Sequence, residues 1–141
     1  MKDWNAWNKS VIAEFRASEG RAGGDLEDMP MVLVHHLGRK SGQEYVNPLA
    51  YLPDENDDSI YVFASKGGAP THPDWYHNLV AAGEATIEVG SSTYPVTVSE
   101  FTGADRDTVY AEQVRRMPGF GEYARKTEGT RTIPVLELRR R

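Results

Sequence analysis

Ser65-Lys66-Gly67-Gly68, followed by Pro73-Asp74-Trp75-Tyr76-His77-Asn78, brings together a cation, adjacent glycines and flat aromatic rings at the start of a predicted helix. Adjacent glycines reach backbone conformations closed to other residues and let a ligand approach the main chain. A helix N-terminus favours anions, and Lys66 adds a full positive charge beside it. This chemistry suits a flat, anionic ligand. A second cluster, Gly38-Arg39-Lys40-Ser41-Gly42, sets two cations and a hydroxyl between glycines. Amides in such a turn can form an anion-binding concavity, and the Arg39 fork matches phosphate or carboxylate. Taken alone, the turn reads as a solvated hairpin tip, because short basic motifs are common. Lys66, at the end of a neighbouring predicted strand, reverses that balance in a chain of formal charge −5.

Other residues bear on the same site. Asn47-Pro48-Leu49 interrupts a strand, and proline cannot donate to a ladder, so nearby backbone groups are open to a ligand or a bulge. A plain edge-strand proline fits equally well. Met117, Phe120 and Tyr123 flank Pro118, Gly119 and Gly121, which reads as a mobile, aromatic lid, whereas Tyr110 reads as core. His35 and His36 are adjacent on a strand and point to opposite faces, which spoils them as paired metal ligands. His72 and His77 lack suitably spaced carboxylates other than Asp74, so no metal site is expected. No G-x-S-x-G elbow, P-loop or cysteine is present, which removes support for hydrolase, nucleoside-triphosphate and thiolate-metal chemistry.

The elements that must position these residues follow from pattern. The 141 residues suit a single domain, and their composition, 39% hydrophobic and 26% charged, is that of an ordinary globular protein. The acidic balance gives no footprint for nucleic acid or an anionic membrane. No apolar run nears the ~20 residues that span a bilayer, so a cytoplasmic enzyme or binding protein is expected. Trp4, Trp7, Val11, Ile12 and Phe15 recur at helical spacing, predicting a helix over 3–18 capped by Asp3, with the tryptophans as packing or interface residues. Glycines at 20, 23 and 24 then open a flexible acidic loop through Asp28. Strands are predicted over 31–37, 44–52, 59–64, 85–89, 93–101 and 132–139, the fifth edged or bulged at Pro95. Helices are predicted over 74–82 and 104–117, with a short helical or turn segment over 119–127. Antiparallel hairpins flanked by helices imply a mainly β, α+β chain built as a small barrel.

Together, Gly38-Arg39-Lys40-Ser41-Gly42, Asn47-Pro48-Leu49, Ala64-Ser65-Lys66-Gly67-Gly68, Pro73-x-Trp75-Tyr76-x-Asn78-Leu79 and Arg131-Thr132-Ile133-Pro134 resemble the deazaflavin-dependent nitroreductase family. The resemblance runs from about Met29 to the C-terminus, in order and with compatible spacing. It implies a split β-barrel, of the FMN-binding type, that binds coenzyme F420 and uses the reduced form, F420H2. By the family pattern, Arg39, Lys40 and Ser41 would meet the phosphate and acidic tail, and Val46, Asn47, Pro48, Leu49 and Ala50 would lie beside the ring. Phe63, Ala64, Ser65, Lys66 and Gly67, with Asp74, Trp75, Tyr76, His77 and Asn78, would complete the groove.

The implied reaction is hydride transfer to an electron-poor small molecule: an activated enone or coumarin-type lactone, a quinone or a nitro compound. Ser65 would hold the acceptor's polar group, and Tyr123 or solvent would give a proton. Met117, Phe120 and Tyr123 would bound the acceptor. Two departures stand out. Tyr45 occupies a place where the family commonly has an arginine, and Met117 and Phe120 replace tyrosines of nitroimidazole-reducing members. A more apolar pocket follows, one that suits flat lactones better than bicyclic nitroimidazoles. The N-terminal helix carries no long apolar or basic extension for membrane attachment. Competing readings are an FMN-dependent barrel oxidoreductase, a non-catalytic deazaflavin carrier and a structural interaction module. Split barrels occur as monomers and homodimers, and either fits.

Overall fold

The computed structural model describes residues 4–17, 30–54 and 58–141, with side chains of the first helix from Asn8 onward. The Asp3 cap, the acidic loop through Asp28 and the side chains of Trp4 and Trp7 lie outside the described residues. The elements run α1 (Trp4–Ala17), β1 (Met31–Leu37), β2 (Glu44–Pro53), β3 (Ser59–Phe63), α2 (Asp74–Ala82), β4 (Glu84–Val89), β5 (Ser92–Phe101), α3 (Gly103–Arg116), α4 (Gly119–Thr127) and β6 (Val135–Arg140). The six strands close into an antiparallel barrel in the order β1-β2-β3-β6-β5-β4.

Period-two alternation decides which side chains fill it. Val32 and Val34, Ile60 and Val62, and Leu136 and Leu138 face inward with Ile87 and Val96, and Trp75 and Leu79 of α2 join this core. Intervening residues face outward and are covered by helices. Tyr61, Phe63 and Val135 pack with Tyr110 of α3 and Phe120 of α4. Met31 and Leu33 pack under Val11 and Phe15 of α1, which is tethered by Arg16 to Glu88 of β4 at 2.8 Å.

One expected boundary moves. The last strand begins at Val135 rather than Thr132. The preceding residues bond elsewhere: Ile133 O accepts from Arg106 Nε and Pro134 O from the Ala64 amide. Pro95 is expected at an edge or bulge, but β5 lies between β4 and β6 in the closed barrel. Pro95 pairs with Thr86 of β4, and its carbonyl accepts from the Arg141 amide at 3.0 Å, just beyond the β6 register that starts at Val96↔Arg140.

The barrel is not paired evenly. Residues 44–50 of β2 pair with β1, but only Tyr51, Leu52 and Pro53 pair with β3. Pro48 has no N–H, and Tyr51 N donates to Pro30 O on the β1 side. Alternation therefore turns the backbone polar groups of Val46 and Pro48 away from β1, to an edge that no described strand covers.

Candidate active site

The basic turn between β1 and β2 is held by short backbone bonds, Gly38 N to Gln43 O and Gly42 N to Gly38 O, both 2.8 Å. Glycine is needed at 38 because a Cβ there would stand 2.5 Å from Ser41 Oγ and 3.2 Å from the Tyr45 ring. Arg39 is anchored across to α2: its amide and its Nη1 both donate to Asn78 Oδ1, at 3.1 and 3.0 Å. Among the described residues, the amides of Lys40 and Ser41 have no protein acceptor, and the Lys40 side chain is exposed. Asp74 comes within 3.9 Å of Arg39. A carboxylate there competes with any anion that binds the guanidinium.

The second turn, after β3, is wound by three successive positive φ values: Lys66 at 48°, Gly67 at 63° and Gly68 at 85°. Lys66 is the one non-glycine described residue in that region, a conformation that costs free energy and marks functional turns. Arg131 holds the turn from behind. It donates to Ala69 O at 2.9 Å, Ala64 O at 3.0 Å and Ser65 O at 2.8 Å, with His72 Nδ1 at 2.9 Å. Because arginine can only donate, His72 Nδ1 must be the unprotonated acceptor. Burial, then the adjacent Arg131 charge, lowers the His72 pKa in keeping with that. Lys66 Nζ reaches Thr71 Oγ1 at 3.1 Å and is otherwise exposed.

These two turns flank α2, whose N-cap is Pro73 and which has no side-chain cap bond. The structure thus gathers Arg39, Lys40, Ser41, Lys66, Gly67, Asp74 and His77 as exposed groups, with Val46, Asn47, Leu49, Ala50, Ser65 and Tyr76 half-buried. Other expected contacts are placed differently. Phe63, Ala64, Trp75 and Asn78 are buried, with Phe63, Ala64 and Trp75 packed in the core, because alternation and helix packing turn them inward. The Tyr76 hydroxyl donates to Glu100 at 2.7 Å, a bond that together with burial raises its pKa to about 12.

A cleft of about 480 Å³ lies where β2 leaves its open edge. Tyr51, Leu52 and Pro53 form one wall, and Gln113, Arg116, Met117, Phe120 and Tyr123 the other. Met117, Phe120 and Tyr123 come together here as expected; Ser65 is not among the lining residues. The segment expected to be a loose lid is a helix seated on the barrel. Phe120 is buried against Phe63, ring centres 5.6 Å apart, and its carbonyl accepts from the Tyr110 hydroxyl at 2.6 Å. Gly121 approaches Val114 so closely that a Cβ would lie 3.3 Å from it. On the other flank, Lys126 lies over Gly68, where a Cβ would meet its Cδ at 2.8 Å. Tyr123 is half-buried, and its hydroxyl has no partner among the described residues.

Sequence reading missed two functional groups. Arg131 stood within a recognised motif, but its role depends on carbonyls more than 60 positions away. His36 was weighed only as a metal ligand. Its ring is 6% exposed and bonded to Asn47 and Asn78.

Comparison with known proteins bears on the family and the fold. The family model described as F420H(2)-dependent quinone reductase matches residues 7–139. An F420H(2)-dependent quinone reductase of Mycobacterium tuberculosis is 34% identical over 131 residues, covering 92% of this chain and 87% of that protein. A solved F420-H2 dependent reductase superposes with a TM-score of 0.68 at 34% identity, over 77% of this chain and 93% of that one. A further solved structure, described as a domain-swapped dimer, gives 0.70 at 31% identity over 96% and 97%. The fold they share is the split barrel. The match is named for quinone reduction rather than nitro reduction. This chain belongs to the F420H(2)-dependent quinone reductase family and is an oxidoreductase.

Proposed function

We propose that the protein binds F420H2 across its two basic turns and reduces quinones in the neighbouring cleft. The donor set fits the coenzyme: Arg39, Lys40, Ser41 and Lys66, with free amides on the first turn, suit a polyanionic tail in a chain of net charge −5. The open edge at Val46 and Pro48 offers a main-chain donor and acceptors to a planar ring. Bound there, the reduced deazaflavin supplies a hydride. The observation that carries the reading is continuity. The open edge at Val46 and Pro48 runs on along the same strand into Tyr51, Leu52 and Pro53, which line the cleft.

Met117, Phe120 and Tyr51 give the acceptor a largely apolar seat, and packing against them excludes water from one face. Reduction of a quinone to a hydroquinone takes a hydride and a proton, and we assign that proton to Tyr123, whose Oη has no partner among the described residues, with solvent as the alternative donor. Ser65, half-buried with its hydroxyl free, is assigned to the acceptor's polar group. With Met117 and Phe120 in place of tyrosines, the same seat is expected to favour flat coumarin-type lactones over bicyclic nitroimidazoles.

Titration of the purified protein with F420 and F420H2, in parallel with FMN, tests the first half. Anaerobic turnover with a naphthoquinone, a coumarin-type lactone and a bicyclic nitroimidazole tests the second. Saturable F420 binding with the naphthoquinone reduced fastest is expected. Tight FMN binding with indifference to F420, or binding without turnover of any acceptor, overturns it. One of the solved relatives is described as a domain-swapped dimer, and we take a homodimer as the working assembly of this chain. Among its described residues no helix is long and apolar enough to cross a membrane.

A further inference from the structure

A buried chain of hydrogen bonds joins the open β2 edge to the basic turn. His36 Nε2 lies 2.7 Å from Asn47 Oδ1, and His36 Nδ1 lies 3.1 Å from Asn78 Nδ2. Asn78 Oδ1 in turn takes both donors from Arg39. The protons can be assigned by elimination. An arginine and a backbone amide only donate, so the Asn78 atom facing them is oxygen and the atom facing His36 is its NH2. His36 Nδ1 is then bare, the proton sits on Nε2, and Asn47 must present its oxygen to it. Asn47 is left with its own NH2 directed elsewhere, with no protein acceptor among the described residues.

We propose that His36 is a positioning residue for the coenzyme: through Asn78 it orients Arg39 toward the anionic tail, and through Asn47 it turns an amide donor toward the ring edge. This rests on the F420H2 reading above. The wiring works in one protonation state only. A proton on Nδ1 would face the Asn78 NH2, the amide would have to turn over, and Arg39 would lose both acceptor bonds. Burial opposes that proton and pushes the imidazole pKa below its ordinary value. The groups around it agree. Tyr45 of β2 stacks on the ring at 5.7 Å, and Asn47 and Asn78 contribute no charge. Neighbouring His35 is turned to Glu88 and Glu44, and Arg39 is held to Asp74 at 3.9 Å. Glu84 and Arg141, which line a shallow hollow shared with His36, bond one another.

His36→Gln is the informative variant. Glutamine has a donor for Asn47 and an acceptor for Asn78 but does not titrate. F420 binding is measured by fluorescence from about pH 8 to about pH 5 for both proteins, with circular dichroism to confirm folding. Wild-type affinity should fall about tenfold more than that of H36Q, since a lost charged hydrogen bond is of that order. The coenzyme's own titration acts on both proteins and cancels. Parallel pH profiles overturn the proposal. Nitrogen NMR of the ligand-free wild type reads the ring directly. A proton on Nε2 alone at about pH 8 supports the relay, and one on Nδ1 overturns it. Should neither protein bind F420 at any pH, the coenzyme reading fails, and with it the proposal, while the ring tautomer still decides whether the wiring exists.

Discussion

The two ends of the proposed site are built on different principles. At the coenzyme end, polar atoms are wired: Arg131 and Asn78 have hydrogen-bond partners that fix two turns, and the bonds reach into the barrel wall. At the acceptor end, Met117, Phe120 and Tyr123 are placed by packing, and the Tyr123 hydroxyl is unpartnered. Hydrogen bonds are directional and specify orientation, whereas apolar contact specifies size and flatness. On the proposed reading, the contrast predicts a chain that selects its coenzyme narrowly and its acceptor by size and flatness.

Removing a wire should therefore hurt coenzyme binding most. Arg131→Ala leaves the Ala64, Ser65 and Ala69 carbonyls without their donor. F420 affinity should drop about a hundredfold and stability by about 3 kcal/mol, read by titration and thermal melting. Lysine at 131 should rescue little, because it lacks the fork. If the variant binds F420 like wild type, the turn needs no clamp and the contrast dissolves. At the other end, Tyr123→Phe should lower kcat roughly tenfold to a hundredfold with F420 affinity unaltered. A change confined to coenzyme affinity would move Tyr123 to the wrong side of the comparison.

Lys66→Ala should weaken F420 binding about tenfold at low salt and less at high salt, as screening mutes the lost charge. Asp74→Asn should act in the opposite sense, tightening binding about threefold by freeing Arg39. The smallest effect concerns neither end. Glu88 is held below its ordinary pKa of 4.5, first by its hydrogen bond from Arg16. A depressed carboxylate contributes stability above its unfolded pKa and loses it as pH falls through the folded value. Wild type should therefore melt slightly above Glu88→Gln near neutrality, and the difference should vanish in acid.

Much of the barrel was legible along the chain. Alternation of Val32 and Val34, Ile60 and Val62, and Leu136 and Leu138 announces strands with one buried face. The glycine-flanked turn at 38–42 marks a hairpin whatever surrounds it. The site was legible in its charges but not in its orientations. Trp75 read as a groove residue by its flat ring and Asn78 by the family resemblance, yet α2 packs both inward. Phe120 read as part of a lid, yet it is buried against Phe63. Local pattern says which face of an element is apolar, and not which neighbour will cover it.

By itself the sequence determined the elements, the acidic balance and the presence of two basic, glycine-rich turns, because each follows from residues near one another in the chain. Tertiary structure alone decided that Arg131 braces a turn more than 60 positions away, and that His36 lies between Asn47 and Asn78. It alone left the first half of β2 without a partner on its β3 side, next to a cleft. Those facts depend on strand register and on which polar atoms must find partners once water is gone, and neither is set until the barrel closes.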